Sequence, residues 1–238
     1  MRVLHTDSGA REPGSEPSPE ALRELYAFPE GGCLRTNFVA TLDGAATGAD
    51  GRSGSINNAE DKIVFDLNRE LCDAIVVGAS TADAEGYRAH SGGPPLVVLS
   101  NHGRLPRRLA EDEVPSGAAI LVTSGRATDA ALDGARNALG PENVWVVGDA
   151  TIDLAAALDR VRTTGRHRLL CEGGPRLQSA LLADGLVDEL ALTWVPSLVG
   201  GDGPRIAHGP VLGQRASLRH LLHANGTLLG LWRLHREP

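Results

Sequence analysis

The hydrophobic rhythm of this chain changes along its length. Over 59–72, AEDKIVFDLNRELC, apolar residues recur at helical spacing, and Ile63, Leu67 and Leu71 are predicted to share one face. From residue 74 onward the period shifts to short, nearly continuous apolar runs: AIVVG (74–78), PLVVLS (95–100), AAILVTS (118–124), NVWVVG (143–148) and RLLCEGG (168–174). Such runs suit strands buried on both faces, as in a parallel sheet. Helical patterns lie between several of them, in RATDAALDGARNALG, DLAAALDRVRTTG and PRLQSALLADG. This alternation predicts an α/β fold with a mainly parallel central sheet flanked by helices.

The two ends read differently. Residues 1–17 are rich in Gly, Pro, Ser and charge, and are expected to form a flexible arm. Ser18 then serves as an N-cap with Pro19 in the first helical position, opening a short helix to about Ala27. CLRTNFVATLDG (33–44) is apolar enough for a strand and closes on Asp43-Gly44, a turn signal. Near the other end, VDELALTWVPSLVGG is a strand running into a glycine-rich loop. SLRHLLHA and TLLGLWRLHR flank Asn225-Gly226, the strongest two-residue hairpin signal, so antiparallel strands are expected at the C-terminal edge of the sheet. No internal repeat or linker divides the chain, which predicts one domain over 18–238.

Composition narrows the class. With 42% hydrophobic and 22% charged residues, the 238-residue chain has an ordinary globular make-up, and aromatics at 3% leave the core to Val, Leu, Ile and Ala. A formal charge of -7 argues against a nucleic-acid or anionic-membrane binder. Cys33, Cys72 and Cys171 are odd in number, widely spaced and without C-x-x-C, which predicts buried thiols in a reducing cytoplasm and no metal site. No run approaches membrane-span length and no signal-peptide pattern opens the chain.

In an open α/β sheet, ligands collect beyond the carboxyl ends of the strands. Read in order, those ends are Thr41-Leu42-Asp43-Gly44, Gly78-Ala79-Ser80-Thr81, Ser100-Asn101 and Glu172-Gly173-Gly174-Pro175. Two of them pass from strand through small residues into a helix, where N–H groups and the helix dipole suit a phosphate or diphosphate. Each has a plainer reading too: the glycine pair as a tight connection, Asp43 as a turn residue, Glu172 as a helix-terminal charge, Arg69 as a solvated side chain. Their common placement at one predicted sheet edge favours a ligand. No G-x-G-x-x-G, G-x-x-x-x-G-K-[ST] or G-x-S-x-G occurs, and the eight histidines form no H-E-x-x-H. His220 and His223, in a predicted strand, read as packing or surface residues.

Five stretches carry a family resemblance in order: Asn37-Phe38-Val39-Ala40-Thr41-Leu42-Asp43-Gly44; Asp73 through Thr81 with Ala84-Glu85-Gly86-Tyr87-Arg88; Leu170-Cys171-Glu172-Gly173-Gly174-Pro175; Leu186-Val187-Asp188-Glu189-Leu190; and Leu198-Val199-Gly200-Gly201. Across 34–207 the chain resembles the pyrimidine reductases of riboflavin biosynthesis, the RibD C-terminal domain group with a dihydrofolate-reductase-like fold. The resemblance implies an NADPH-dependent homodimer that reduces the ribosyl chain of 5-amino-6-(5-phosphoribosylamino)uracil to a ribityl chain. It implies that Gly78, Ala79, Ser80, Thr81 and the segment from Gly173 and Gly174 through Pro175, Arg176 and Leu177 hold the cofactor diphosphate. Glu85 stands where the family often has an aspartate near the cofactor. Ser100 and Asn101 match the region facing the adenosine ribose and its 2′-phosphate, and Ser55 a position near the nicotinamide.

By the same resemblance, Asn37, Ser53, Arg69 and Glu172 fall on substrate positions. Hydride transfer to an opened sugar also needs a carboxylate that can hold hydroxyls and support proton delivery, for which Glu172 and then Asp43 are the candidates. The substrate phosphate calls for a guanidinium, from Arg69, Arg88 or Arg52. The H-x-E and P-C-x-x-C signature of the zinc deaminase in bifunctional members is absent, so neither deaminase activity nor zinc is expected. Ala82-Asp83 and Thr36 depart from the family pattern, which leaves open a related substrate. The alternatives are a reductase of another small heterocycle or pterin, and a non-catalytic NADPH-binding dimer. The homodimer would use strands within 187–195 and 217–235.

Overall fold

The computed structural model describes residues 1–9 and 11–235. Ala10 and residues 236–238, within the expected arm and the end of the last predicted strand, lie outside the described residues. In chain order, β1 (Arg2–Thr6), α1 (Pro19–Leu25), β2 (Cys33–Thr41) and α2 (Ala59–Leu71) come first. They are followed by β3 (Ala74–Gly78), α3 (Ala79–Glu85), β4 (Leu96–Leu99), α4 (Arg107–Glu111), β5 (Ala119–Thr123) and α5 (Asp129–Leu139). Then come β6 (Val144–Val146), α6 (Leu154–Thr163), β7 (Arg168–Cys171), α7 (Pro175–Ala183), β8 (Glu189–Val195), β9 (Ala216–Ala224) and β10 (Thr227–Leu234).

The expected single domain divides into two compact units, 72–174 and a unit assembled from 1–71 with 175–238. No linker composition marks the division, because one unit is built from both ends of the chain. In the 72–174 unit the strand order is β7-β3-β4-β5-β6, all parallel. The five apolar runs all became strands, and β3, β4 and β5 are buried almost throughout. Helix starts follow their caps: Thr128 accepts from the Ala131 N–H and Asp153 from the Ala156 N–H. Asp73 fixes the entry to β3 and β7 by accepting from the His167 and Arg168 N–H groups and from the Arg168 guanidinium.

In the other unit the order is β1-β9-β10-β8-β2, with β2 and β8 parallel and the other pairs antiparallel. The β9–β10 hairpin turns at Asn225-Gly226 with φ of 48° and 82°, the left-handed pair that this dipeptide supplies. The α/β class, the mainly parallel strands and the antiparallel C-terminal strands are thus as the apolar pattern predicts.

Two expectations change here. The arm expected over 1–17 contains β1, which pairs with β9 and buries Val3 completely against Leu222 and Tyr26. One apolar side chain and a ladder of backbone hydrogen bonds outweigh a composition that reads as loose. In α2 the buried stripe is Asp61, Val64, Leu67 and Asn68, whereas Ile63 is half exposed. Leu67 and Leu71 do pack on the core, but the buried stripe is turned from Ile63 toward Asp61 and Asn68, two polar residues that point inward. Asn68 Oδ1 accepts from Arg35 and its amide donates to the Val64 carbonyl.

Candidate functional site

In the 72–174 unit, β7, β3 and β4 are adjacent and parallel, so their carboxyl ends share one edge. The ladder continues beyond β7: the Glu172 N–H donates to the Val76 carbonyl at 3.0 Å, and the Gly78 N–H donates to the Gly173 carbonyl at 2.7 Å. The fold therefore brings together three of the predicted strand ends, 78–81, 100–101 and 172–174. Gly173 holds φ of +87°, which only glycine adopts without strain, and the Gly173–Gly174 peptide is cis.

Gly78 caps α3 without offering a side-chain acceptor, so the first-turn N–H groups of α3 have no side-chain partner at the cap. Ser80 is exposed and Ala79 half-buried on that turn. A Cβ placed on Gly174 would lie 2.3 Å from Thr81 Oγ1, whereas one on Gly78 would meet only ordinary contacts at 3.7 Å. A side chain at position 174 thus meets the protein's own threonine before any ligand. Asp83, one of the departures from the family pattern, accepts from the Arg107 N–H at 2.7 Å and so ties α3 to the start of α4.

Glu172 is 7% exposed, and the Tyr87 hydroxyl donates to its Oε2 at 2.6 Å. Sequence reasoning quoted Tyr87 inside a motif but gave it no role, since nothing in spacing links residue 87 to residue 172. Ser100 is buried, and its N–H completes the sheet to the Val122 carbonyl. Asn101 Oδ1 accepts from the Ile152 N–H at 2.8 Å, so this side chain helps hold the loop after β6. Glu85 closes α3. Arg88 is exposed and lies 3.5 Å from Asp112. Cys171, fully buried behind the junction, has its thiol pushed up to about 12 by that burial.

The remaining candidates lie in the unit of 1–71 and 175–238. Asn37 is buried in β2. Beyond β2, Asp43 accepts from the Thr41 hydroxyl, from the Gly200 N–H at 2.6 Å and from the Val199 N–H at 3.2 Å. The Thr41 hydroxyl first, and then the Gly200 N–H, hold its carboxyl below the usual range. Asp43 is thus an anchored carboxylate gripping the glycine-rich loop after β8. Ser53 and Ser55 form a short 3-10 turn, where Ser55 donates to Asp50 and to the Arg52 carbonyl, both at 2.8 Å.

Arg69 stacks on the Phe65 ring at 4.3 Å. Pro175, Arg176 and Leu177 open α7, Arg176 is exposed, and the Pro175 carbonyl accepts from the His208 N–H. Thr36 is sealed in β2 and accepts from the Gln178 amide at 3.1 Å. Among the described residues no group of three His, Cys, Asp or Glu side chains could hold a metal ion. No helix among them is long and apolar enough to cross a membrane.

These elements recur in known proteins. A family model described as the RibD C-terminal domain matches residues 33–227. The chain is 34% identical over 180 residues to the 2,5-diamino-6-ribosylamino-4(3H)-pyrimidinone 5′-phosphate reductase of Methanothermobacter thermautotrophicus, spanning 71% of this chain and 80% of that protein. It is 30% identical over 191 residues to the reductase of the same name from Archaeoglobus fulgidus, spanning 73% and 84%. In structure it resembles a pyrimidine reductase-like protein from Corynebacterium diphtheriae with a TM-score of 0.78 at 24% identity, covering 87% of this chain and 93% of the other. That likeness bears on the fold, and the family match covers every strand end described above. The chain belongs to the RibD C-terminal domain family.

Proposed function

We propose that this protein is an NADPH-dependent reductase of riboflavin biosynthesis, acting in the cytoplasm on a phosphorylated ribosylaminopyrimidine and converting its ribosyl chain to a ribityl chain. The observation that carries the reading is a buried carboxylate, Glu172, heading a glycine pair at a shared sheet edge, in a chain 34% identical to a 2,5-diamino-6-ribosylamino-4(3H)-pyrimidinone 5′-phosphate reductase. Three buried free thiols agree with a reducing compartment.

The residues fit a nicotinamide dinucleotide phosphate. Gly78 leaves the first turn of α3 without a side-chain cap, and Gly173 and Gly174 present bare main chain. Gly78, Ala79, Ser80 and Thr81, with Gly173, Gly174, Pro175, Arg176 and Leu177, would hold the diphosphate. Ser100, Asn101 and Glu85 would serve the adenosine side, and Ser55 the nicotinamide. When bound, NADPH supplies the hydride. Glu172 accepts from substrate hydroxyl or N–H groups, while Asn37 and Ser53 complete substrate contacts. Arg69 and Arg88 offer guanidiniums to the phosphate. Asp43, already committed to three donors and held anionic, orders the loop at 199–200 rather than donating a proton.

A second copy of the chain is proposed to cover the sheet face that carries Leu190, Trp194 and Trp232. Phe38, Ala40 and Leu192 pack with them in one cluster, and the two indoles meet edge-to-face at 5.1 Å. Sedimentation should give a dimer, and Trp232→Glu a monomer.

The decisive assay mixes the protein with NADPH and either 2,5-diamino-6-ribosylamino-4(3H)-pyrimidinone 5′-phosphate or 5-amino-6-(5-phosphoribosylamino)uracil. Loss of NADPH absorbance with one or both is expected, and the faster of the two fixes whether reduction precedes deamination. NADPH binding without turnover on either, but with turnover on a pterin, would move the activity to another heterocycle.

A further inference from the structure

Glu172 is held by a residue that the functional reading does not use. The Tyr87 hydroxyl lies 2.6 Å from Glu172 Oε2, a short bond of the kind a phenol forms with a carboxylate. Tyr87 is itself fixed in place. Gly86, at φ of +70°, ends α3, and the Tyr87 N–H donates back to the Ala82 carbonyl at 2.9 Å. Ala82 is fully buried, so this last turn of α3 is anchored in the unit's core. On the other side, the Glu172 N–H is part of the ladder to β3. Two rigid elements, a helix end and a strand end, thus converge on one carboxylate.

A carboxylate that is 7% exposed is oriented by the donors that reach it, and the Tyr87 hydroxyl is one that arrives from a separate element. We propose that Tyr87 is a positioning residue for the reductase: its hydroxyl fixes the Glu172 carboxylate as an acceptor in a single orientation for the substrate. This rests on the reading of Glu172 as a substrate-binding carboxylate. Tyr87 touches neither substrate nor cofactor in this role, and it acts only through Glu172.

The test compares the unsubstituted full chain with Tyr87→Phe, Glu172→Gln and the double variant, with circular dichroism as the control for folding. Tyr87→Phe should raise KM for the pyrimidine by about ten- to a hundredfold, the range for losing one hydrogen bond to a charged group. Affinity for NADPH, read by its fluorescence, should not change. kcat should change far less than KM, and the double variant should lose no more than Glu172→Gln alone, as coupled partners do. An unchanged KM in Tyr87→Phe, or losses that add in the double variant, would overturn the proposal.

A second readout needs no turnover. The carboxyl 13C resonance of Glu172 should change position at neutral pH in Tyr87→Phe, because the hydrogen bond it accepts is gone, and an unmoved resonance overturns the proposal. If the unsubstituted protein turns over neither pyrimidine, the proposed function fails, and the resonance still decides whether Tyr87 holds Glu172.

Discussion

The two units of this protein bury different chemistry. In the 72–174 unit the strands contribute Val76, Val77, Val98, Leu121, Val122, Leu169 and Leu170, all essentially without exposure. In the other unit every residue of β2 is buried, yet they include Arg35, which is 0% exposed. Its guanidinium donates to Glu189 at 2.6 and 3.0 Å, to Asn68 at 2.9 Å and to the Tyr26 carbonyl at 2.6 Å, and stacks on Phe28. Arg219 donates to the other oxygen of Glu189 at 2.6 Å. Burial works to raise the Glu189 carboxyl, but the two guanidiniums outweigh it and hold it below the usual range. One core is specified by volume and the other by matching donors to acceptors.

Breaking the ionic core should have the largest effect. Arg35→Met leaves Glu189 with Arg219 as its one guanidinium and strips Asn68 of that donor, so urea unfolding should show a loss of about 3–5 kcal/mol. A loss below about 1 kcal/mol would mean that the methionine's burial offsets the pair, as apolar replacements of buried pairs can. In the aliphatic core, Leu121→Ala should cost about 3 kcal/mol by cavity formation. That loss should not vary with pH, whereas the Arg35→Met loss should shrink in acid as Glu189 becomes protonated.

The polar core also predicts a pH signature. Asp61, bonded to Thr193, is pushed up to about 6 by burial, and His220, edge-on to Tyr26, is pushed down to about 4 by burial. Asp61 Oδ1, the Tyr26 hydroxyl and His220 Nε2 lack hydrogen-bond partners among the described residues. Between pH of about 4 and 6 the native Asp61 keeps a proton that the unfolded chain has lost, so its contribution to stability falls as pH rises. Between about 4 and 6.5 the unfolded His220 holds a proton that the native residue refuses, so its contribution rises with pH.

These two slopes oppose one another, each on the order of 3 kcal/mol across its window. Asp61→Asn should therefore give a stability that climbs with pH more steeply than in the unsubstituted protein, and His220→Phe one that climbs less or falls. Denaturant titrations at a series of pH values check both. Parallel curves for all three proteins would remove the link between these side chains and the buried polar layer.

The smallest expected effect is at the glycine junction. Gly174→Ala should cost about 1–2 kcal/mol by overpacking against Thr81, and Thr81→Ala should restore most of it. With that internal clash relieved, the NADPH affinity of the double variant is compared with that of Thr81→Ala alone, and equal affinities would remove Gly174 from the cofactor site.

Much of the 72–174 unit was legible because a strand buried on both faces must be apolar throughout, and its strand ends then fall where the runs stop. Glu172, Gly78 and Ser100 were found that way. In the other unit the same rule counted Ile63 into the buried face of α2 and missed β1, since Asp61 and Val3 acquire their environment from residues more than a hundred positions away, such as Thr193 and Leu222. Asp43 was legible as a turn carboxylate, but not as the anchor of a loop at 199–200. Tyr87 was visible only as a member of a motif.

The sequence by itself determined the local terms: helix caps, the Asn225-Gly226 turn, apolar period, and the glycines that free the main chain. Tertiary structure alone decided which distant polar groups meet. Arg35 with Glu189, Asp43 with Gly200 and Tyr87 with Glu172 are pairings across long separations. Periodicity records how much apolar surface a segment must hide, but a hydrogen bond depends on where the distant partner arrives.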